Sequence, residues 1–92
     1  MKEAKRICQK YNVLLIADEL YTGLGRTGKL LASEWEKVKP DIAIIGESLG
    51  GGIYPISAVM GPKKVMKVLT PGTHGSTFGG NPLGCVIART SV

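Results

Sequence analysis

The sequence has few aromatic residues, few cysteines and no long hydrophobic run. Five of its 92 residues are aromatic, and they are not interleaved with basic residues as in a motif that reads RNA or DNA. The apolar stretches are far shorter than the roughly 20 residues that a transmembrane helix needs. The two cysteines have no metal-ligand spacing. We therefore expect no nucleic-acid partner, no membrane partner and no metal site.

The two cysteines also bear on the compartment. Cys8 lies on the apolar stripe of a predicted helix and Cys85 lies in an apolar run. Free thiols in such surroundings are usually buried, and they suit a reducing compartment. The N-terminus is polar and charged, unlike a secretory signal. We expect a cytoplasmic protein, with the mitochondrial matrix as the alternative.

Length and charge limit the architecture. A chain of 92 residues is at most one domain, and a chain of this size buries only about 60–65% of the surface that its unfolded form exposes. A hydrophobic content of 43% with 13 glycines is typical of a globular α/β segment. The net charge of +5 comes from basic residues spread along the chain, which indicates a solvated basic face.

Hydrophobic periodicity predicts an alternation of helices and strands. Apolar residues recur at helical spacing near the N-terminus, with basic residues on the other face. Continuous apolar runs are typical of strands that are covered on both faces. The predicted elements are a helix over 2–11, a strand over 13–17, a short helix over 30–37, strands over 42–45 and 56–60, a helix opened by Pro62, and a helix that begins at Asn81 and Pro82.

The lengths of the connections predict how the strands pair. About two dozen residues separate the first two strands, which is enough for a parallel crossover. The third strand follows after only about ten residues, so it should run antiparallel to the second. This series of elements does not close into a complete architecture, and at both ends it resembles part of a larger sheet. We therefore expect residues 1–92 to be an excerpt of an α/β domain, with a partial, mostly parallel sheet and flanking helices.

Two polar segments could bind a ligand. Asp18 is predicted just past the carboxyl end of the first strand, where open α/β sheets bind ligands. A carboxylate there can pair with a protonated ring nitrogen, although it can equally cap a loop. Ser76 and Thr77 lie in a glycine-rich loop, where backbone amides and small hydroxyls can hold a phosphate. Each signal by itself is weak.

Three separated motifs together resemble the class III pyridoxal-phosphate aminotransferases, and their ornithine-type branch most closely. The motifs are IADE at residues 16–19, PDIAIIGESLGGG at 40–52 and HGSTFGGNP at 74–82. The resemblance implies the large domain of a fold type I transferase, of which this chain is an internal fragment. It also implies a homodimer that transfers the ornithine δ-amino group to 2-oxoglutarate.

The resemblance assigns cofactor contacts to four residues. Asp18 corresponds to the residue that pairs with the ring nitrogen of pyridoxal 5′-phosphate. Ser76 and Thr77 correspond to the pair that contacts the cofactor phosphate of the neighbouring subunit. Tyr21 stands where the family has a glutamine near the ring hydroxyl, so a larger phenol replaces an amide there.

Glu47 is the decisive departure from the family pattern. It occupies the position of the lysine that bonds the cofactor as a Schiff base, and a carboxylate cannot form that imine. We therefore expect this chain to be catalytically incompetent alone and its cofactor binding to be weakened. The alternative is a truncated, non-catalytic remnant that acts, if at all, as an interaction module. A basic nucleic-acid binder is a third and weaker reading.

Overall fold

A computed structural model describes residues 1–92, which form a small mixed α/β unit. The sheet has three strands, and two short 3₁₀ helices lie in the connections. The elements are α1 (Lys2–Lys10), β1 (Ile16–Glu19), a first 3₁₀ helix (Ala32–Glu36), β2 (Ile42–Ile45), a second 3₁₀ helix (Glu47–Gly50), β3 (Ala58–Met60), α2 (Lys63–Met66) and α3 (Pro82–Ser91).

The strand order is β1-β2-β3, and both predicted pairing directions are confirmed. β1 and β2 are parallel, with Ile16 opposite Ile42 and Glu19 opposite Ile45. β2 and β3 are antiparallel, with Ile45 opposite Ala58. The carboxyl ends of β1 and β2 therefore meet at one edge of the sheet, and the glycine-rich loop after β2 leaves from that edge.

The first strand is displaced from its predicted position. The prediction of 13–17 was wrong at its start, because Val13 and Leu14 are exposed and lie outside the strand. The strand instead extends through Asp18 and Glu19, and its burial alternates, with Ile16 and Asp18 exposed. Within this chain only one face of β1 is covered, so a continuous apolar run did not indicate two covered faces.

The helices mostly follow their sequence signals. Asn81 caps α3, where its side chain accepts a hydrogen bond from the Gly84 backbone amide at 2.8 Å, and Pro82 occupies the first turn. α2 has only four residues, and Pro62 precedes it as the N-cap. The predicted helix over 30–37 forms only a 3₁₀ helix.

The core is small and centres on one side of the sheet. Its buried apolar residues are Ala17, Val38, Ala43, Ile45 and Leu49.

The expectation of two buried thiols was wrong. The Cys8 side chain is half-buried on α1, a helix with no buried residue, and Cys85 is exposed on α3. The longest helix has ten residues, and no helix combines the length and the hydropathy of a membrane span.

Candidate functional site

An open cavity lies at the edge where β1 and β2 end. Its volume is about 570 Å³, which is within the range of pockets that hold small molecules. The walls come from the residue after β1 and from the segment between β2 and β3. The lining residues are Leu20, Gly46, Glu47, Gly52, Ile53, Tyr54, Pro55, Ile56 and Ser57.

Gly46 sets the course of the backbone into this cavity. It is fully buried, and a Cβ at this position would overlap Cδ2 of Leu20. The absence of a side chain lets Leu20 pack directly against the chain as β2 ends. The next residue, Glu47, opens the second 3₁₀ helix and contributes to the cavity lining.

Glu47 has an unusual backbone conformation and a free side chain. Its φ is +33°, in the region that favours glycine, and a non-glycine residue there carries backbone strain. Its side chain is exposed and is absent from every hydrogen bond and salt bridge of the chain. Arg26 approaches this loop but donates to Ser48 Oγ at 3.2 Å. Glu47 is thus the only charged residue in the cavity lining.

The far wall of the cavity is held by α3. The Tyr54 hydroxyl donates to Asn81 Oδ1 at 3.4 Å, and Tyr54 and Ile56 both pack against Gly84. A Cβ on Gly84 would lie 3.1 Å from each of these side chains. The glycine on α3 therefore lets the wall approach the helix closely.

Asp18 and Tyr21 lie near the cavity but do not line it. Asp18 is the third residue of β1, not a residue beyond the strand as predicted, because the strand begins and ends later along the chain. Its exposed carboxylate accepts a hydrogen bond from the Leu20 amide at 3.1 Å. The Tyr21 side chain is 73% exposed. Both side chains are accessible to a ligand at this edge.

Glu19 has a structural role that the sequence only hinted at. Its side chain is 3% exposed and accepts hydrogen bonds from the Thr22 hydroxyl and from the backbone amides of Ala32 and Ser33. Burial alone raises the pKa of this carboxyl, but these donors together lower its pKa below the ordinary value. Through these hydrogen bonds the Glu19 carboxylate connects the end of β1 to both ends of the loop of residues 20–31.

Ser76 and Thr77 lie in an exposed loop outside the cavity. Ser76 Oγ accepts a hydrogen bond from the Gly79 amide at 3.0 Å, which shapes the loop. Neither residue contributes to the cavity lining.

The sequence reasoning missed most of the cavity wall. Leu20, Tyr54 and Ile56 bound the cavity with Glu47, but the sequence analysis assigned a site role only to Glu47. The triple glycine at 50–52 was the available signal, because such a run lets the chain fold back over a neighbouring site.

Comparison with known proteins gives consistent matches along the whole chain. The family model "Aminotransferase class-III" matches residues 1–92. "Ornithine aminotransferase 1" of Staphylococcus saprophyticus is 61% identical over 92 residues, which are 100% of this chain and 23% of that protein. The chain thus spans about a quarter of the length of this relative.

Solved structures agree with the sequence matches. The ornithine aminotransferase of Toxoplasma gondii ME49 superposes with a TM-score of 0.94 at 59% identity, covering 98% of this chain and 21% of that one. The acetylornithine aminotransferase of Elizabethkingia anophelis superposes with a TM-score of 0.93 at 54% identity, covering 98% of this chain and 24% of that one.

Proposed function

The chain belongs to the class III aminotransferases, and on that premise we propose that residues 1–92 are a large-domain segment that lacks the amine needed to bond its cofactor. The observation that carries the proposal is the Glu47 carboxylate on the wall of the cavity. A carboxylate has no nucleophilic nitrogen and cannot bond an aldehyde as an imine.

The other site residues suit parts of pyridoxal phosphate. The exposed Asp18 carboxylate suits a protonated ring nitrogen, and the exposed hydroxyls of Ser76 and Thr77 suit a phosphate held for a partner subunit. Tyr21 offers one hydroxyl toward the ring oxygen. When bound, this cofactor supplies an electron sink for a developing carbanion. The donor set therefore fits the ring and the phosphate but not covalent attachment of the aldehyde.

The names of the relatives support one substrate of the ancestral enzyme. Proteins named ornithine aminotransferase cover the chain at 56–61% identity. These names support ornithine as an ancestral substrate. From the resemblance of the motifs we further propose 2-oxoglutarate as the second substrate and a homodimer as the ancestral assembly, and from the cysteines the cytoplasm as the location, with the mitochondrial matrix as the alternative. Because Glu47 replaces the bonding amine, we propose no turnover by this chain.

Covalent mapping tests this proposal directly. The 92-residue chain is treated with pyridoxal phosphate, reduced with borohydride and digested, and each modified lysine is located by mass spectrometry. Residues 46–57 contain no lysine, so we expect only surface adducts on lysines elsewhere, such as Lys63 and Lys64, with no single lysine preferred. In Glu47→Lys we expect an additional adduct at residue 47, because apolar walls favour the free amine.

The matched control is Glu3→Lys, which adds a lysine on the exposed surface of α1. Its new lysine should be modified no faster than the other surface lysines. If one lysine of the unsubstituted chain were modified much faster than all the others, the proposal would be refuted, because another amine would then bond the cofactor. If the lysines at residues 3 and 47 of the two variants were modified at equal rates, the cavity would have no part in bonding the cofactor.

A second candidate is a non-catalytic remnant that serves as an interaction module. It is favoured by the large apolar side chains on the surface, among them Ile53, which is 86% exposed, and Phe78, which is 79% exposed. Exposed apolar surface of this kind marks sites of association. Light scattering distinguishes this candidate, since a module that binds its own kind would show a mass that rises with concentration.

A further inference from the structure

A second concave region lies at the edge of the sheet opposite the Glu47 cavity. Leu15 directly precedes β1, Asp41 directly precedes β2, and Met60 ends the antiparallel β3. These residues therefore share the edge at which the two parallel strands begin. Three open cavities of about 260, 670 and 380 Å³ lie at this edge, and the proposed function uses none of them.

The three cavities adjoin, because each neighbouring pair has walls in common. The first and the second cavity share Lys5, Asp41 and Lys64. The second and the third share Leu31, Lys39 and Pro40. We call the surface formed by these three cavities the basic groove.

Positive charge predominates in the basic groove. The charged residues of its lining are Lys5, Glu34, Lys37, Lys39, Asp41 and Lys64. Four ammonium groups thus stand beside two carboxylates. One of those carboxylates, on Glu34, already accepts the backbone amide of Leu31 at 3.2 Å.

One ion pair fixes the middle of the basic groove. Lys5 Nζ donates to Asp41 Oδ2 at 2.7 Å, and the same oxygen accepts the Leu15 amide at 2.8 Å. The Lys5 and Asp41 side chains are only 19% and 28% exposed. This pair satisfies one lysine and one acid, and it joins α1 to the edge of the sheet.

The other lysines of the basic groove have no acidic partner. Lys37, Lys39 and Lys64 form no salt bridge, and all three side chains are exposed. They belong to three different parts of the fold, namely the end of the first 3₁₀ helix, the segment before β2, and α2. The fold therefore gathers three ammonium groups from separate segments into one concave surface.

Apolar side chains accompany these charges. Leu14 lines the first cavity and is 49% exposed, and Met60 lines the second and is 42% exposed. Leu31 lines both the second and the third. Exposed apolar surface bounded by polar residues is typical of sites of association.

We propose that the basic groove binds an extended acidic peptide of a partner protein, with carboxylates against the free lysines and apolar side chains on Leu14, Leu31 and Met60. Charge complementarity carries this choice, because clustered cations recognise acidic motifs and select against basic ones. A single small anion would occupy only one of the three cavities. A nucleic-acid strand would find no aromatic side chain in the lining on which to stack a base.

A second copy of this chain fits the basic groove poorly. The net charge of +5 makes two copies repel each other. The chain also offers no acidic run, since its only adjacent acidic residues are Asp18 and Glu19, and Glu19 is buried. The acidic segment must therefore come from another protein.

The test compares two blocked hexapeptides, Glu-Leu-Glu-Glu-Leu-Glu and its counterpart with glutamine in place of every glutamate. Binding to the 92-residue chain is followed by amide chemical shifts, which identify the responding residues. We expect the acidic peptide to bind about tenfold more tightly, because each exposed ion pair contributes a few-fold and several act together. Shifts should appear in residues 37–41 and 60–64 and not in 46–57, and the affinity should fall as salt rises.

A matched pair of lysine variants tests the location. Lys64→Gln removes an ammonium group from the basic groove, whereas Lys67→Gln removes one three residues further along that lines none of the three cavities. We expect Lys64→Gln to weaken the acidic peptide about threefold and Lys67→Gln to change its affinity little. Lys39→Gln should behave like Lys64→Gln, and the two changes together should weaken binding about tenfold. The spectrum of each variant without peptide shows that it remains folded.

Five outcomes would overturn the inference. Equal affinities for the two peptides would refute acidic recognition, and equal weakening by Lys64→Gln and Lys67→Gln would leave only attraction to net charge. Displacement of the peptide by an equal concentration of inorganic phosphate would assign the groove to a small anion. Tighter binding of a hexathymidylate would assign it to nucleic acid, and shifts that grow with protein concentration alone would assign it to a second copy. All five leave the proposed function intact, because the Glu47 cavity lies at the opposite edge.

Discussion

Glu19 and Asp18 are adjacent carboxylates that β1 directs to opposite faces, and their roles differ for that reason. The alternation of a strand turns Glu19 inward, where it is 3% exposed, and turns Asp18 outward to solvent. Glu19 receives the amides that begin the first 3₁₀ helix, and Asp18 keeps its surface accessible. A single residue step thus separates a structural carboxylate from one that can meet a ligand.

Replacing Glu19 tests the structural role. Glu19→Gln keeps the size of the side chain but replaces one acceptor oxygen with a donor that faces other donors. We expect a loss of about 1–3 kcal/mol of unfolding free energy at pH 7, as for a buried group left without its partner. Urea unfolding measures it, and Glu3→Gln on the exposed surface of α1 should change stability little. Equal losses in the two variants would contradict the role.

The pH dependence of stability gives an independent check. The pKa of Glu19 is lowered in the folded state, so its stabilising contribution is complete above the unfolded pKa of about 4.3. It is lost as pH falls through the lower, folded value. Between pH 5 and 3 the original chain should lose more stability than Glu19→Gln, and parallel curves would contradict this expectation.

The contacts between elements depend on glycines where two backbones or side chains meet. A Cβ on Gly23 would lie 2.8 Å from the backbone oxygen of Glu19, which cannot move without disrupting β1. A Cβ on Gly46 would overlap only the end of the flexible Leu20 side chain. The first position is therefore less tolerant of substitution than the second.

Alanine substitutions at three glycines test this order. Gly23→Ala should cost about 1–3 kcal/mol of unfolding free energy, the usual cost of forced overpacking. Gly46→Ala should cost less, because Leu20 can rotate away. Gly75→Ala has no atom within 4 Å of its new Cβ and serves as the control. Urea unfolding measures the free energy of unfolding of the three variants. The largest loss in Gly75→Ala would contradict this order.

The start of α3 joins the helix to the cavity wall through Asn81. Asn81→Ala removes the cap of the Gly84 amide and the acceptor of the Tyr54 hydroxyl. We expect a loss of about 0.5–2 kcal/mol. Asn81→Asp keeps an acceptor oxygen and should retain most of the stability. Thermal unfolding followed by circular dichroism compares the two, and equal losses would contradict the capping role.

The whole molecule is a thin plate. Its principal dimensions are 41 × 36 × 15 Å, and only 11 of its 92 residues are buried. Domains are built from packed layers that share a core, and sheets with parallel strands are usually covered on both faces. We therefore propose that the plate is part of a larger domain, which suits a chain that spans about a quarter of its relatives' length.

The size of the unfolding transition tests this conclusion. A complete domain of 92 residues would unfold with an enthalpy of about 60 kcal/mol near 60 °C. Because so little of this chain is buried, we expect a broader transition with clearly smaller enthalpy and a low urea m-value. Scanning calorimetry at several concentrations measures it. A sharp transition with the full enthalpy would show that the plate is a self-sufficient domain.

Local patterns in the sequence determined the order of the elements, the direction of both strand pairings, the cap of α3 and the family, because periodicity, connection length and motif identity are local properties. Only the tertiary structure decided that β1 begins at Ile16, that Cys85 is exposed and that Glu19 is buried. Those outcomes depend on which face of each helix or strand packs against another element. The free carboxylate of Glu47 is likewise a tertiary fact, since its cavity forms only where Leu20 at the end of β1 meets the folded segment of residues 52–57, and no cation lines it.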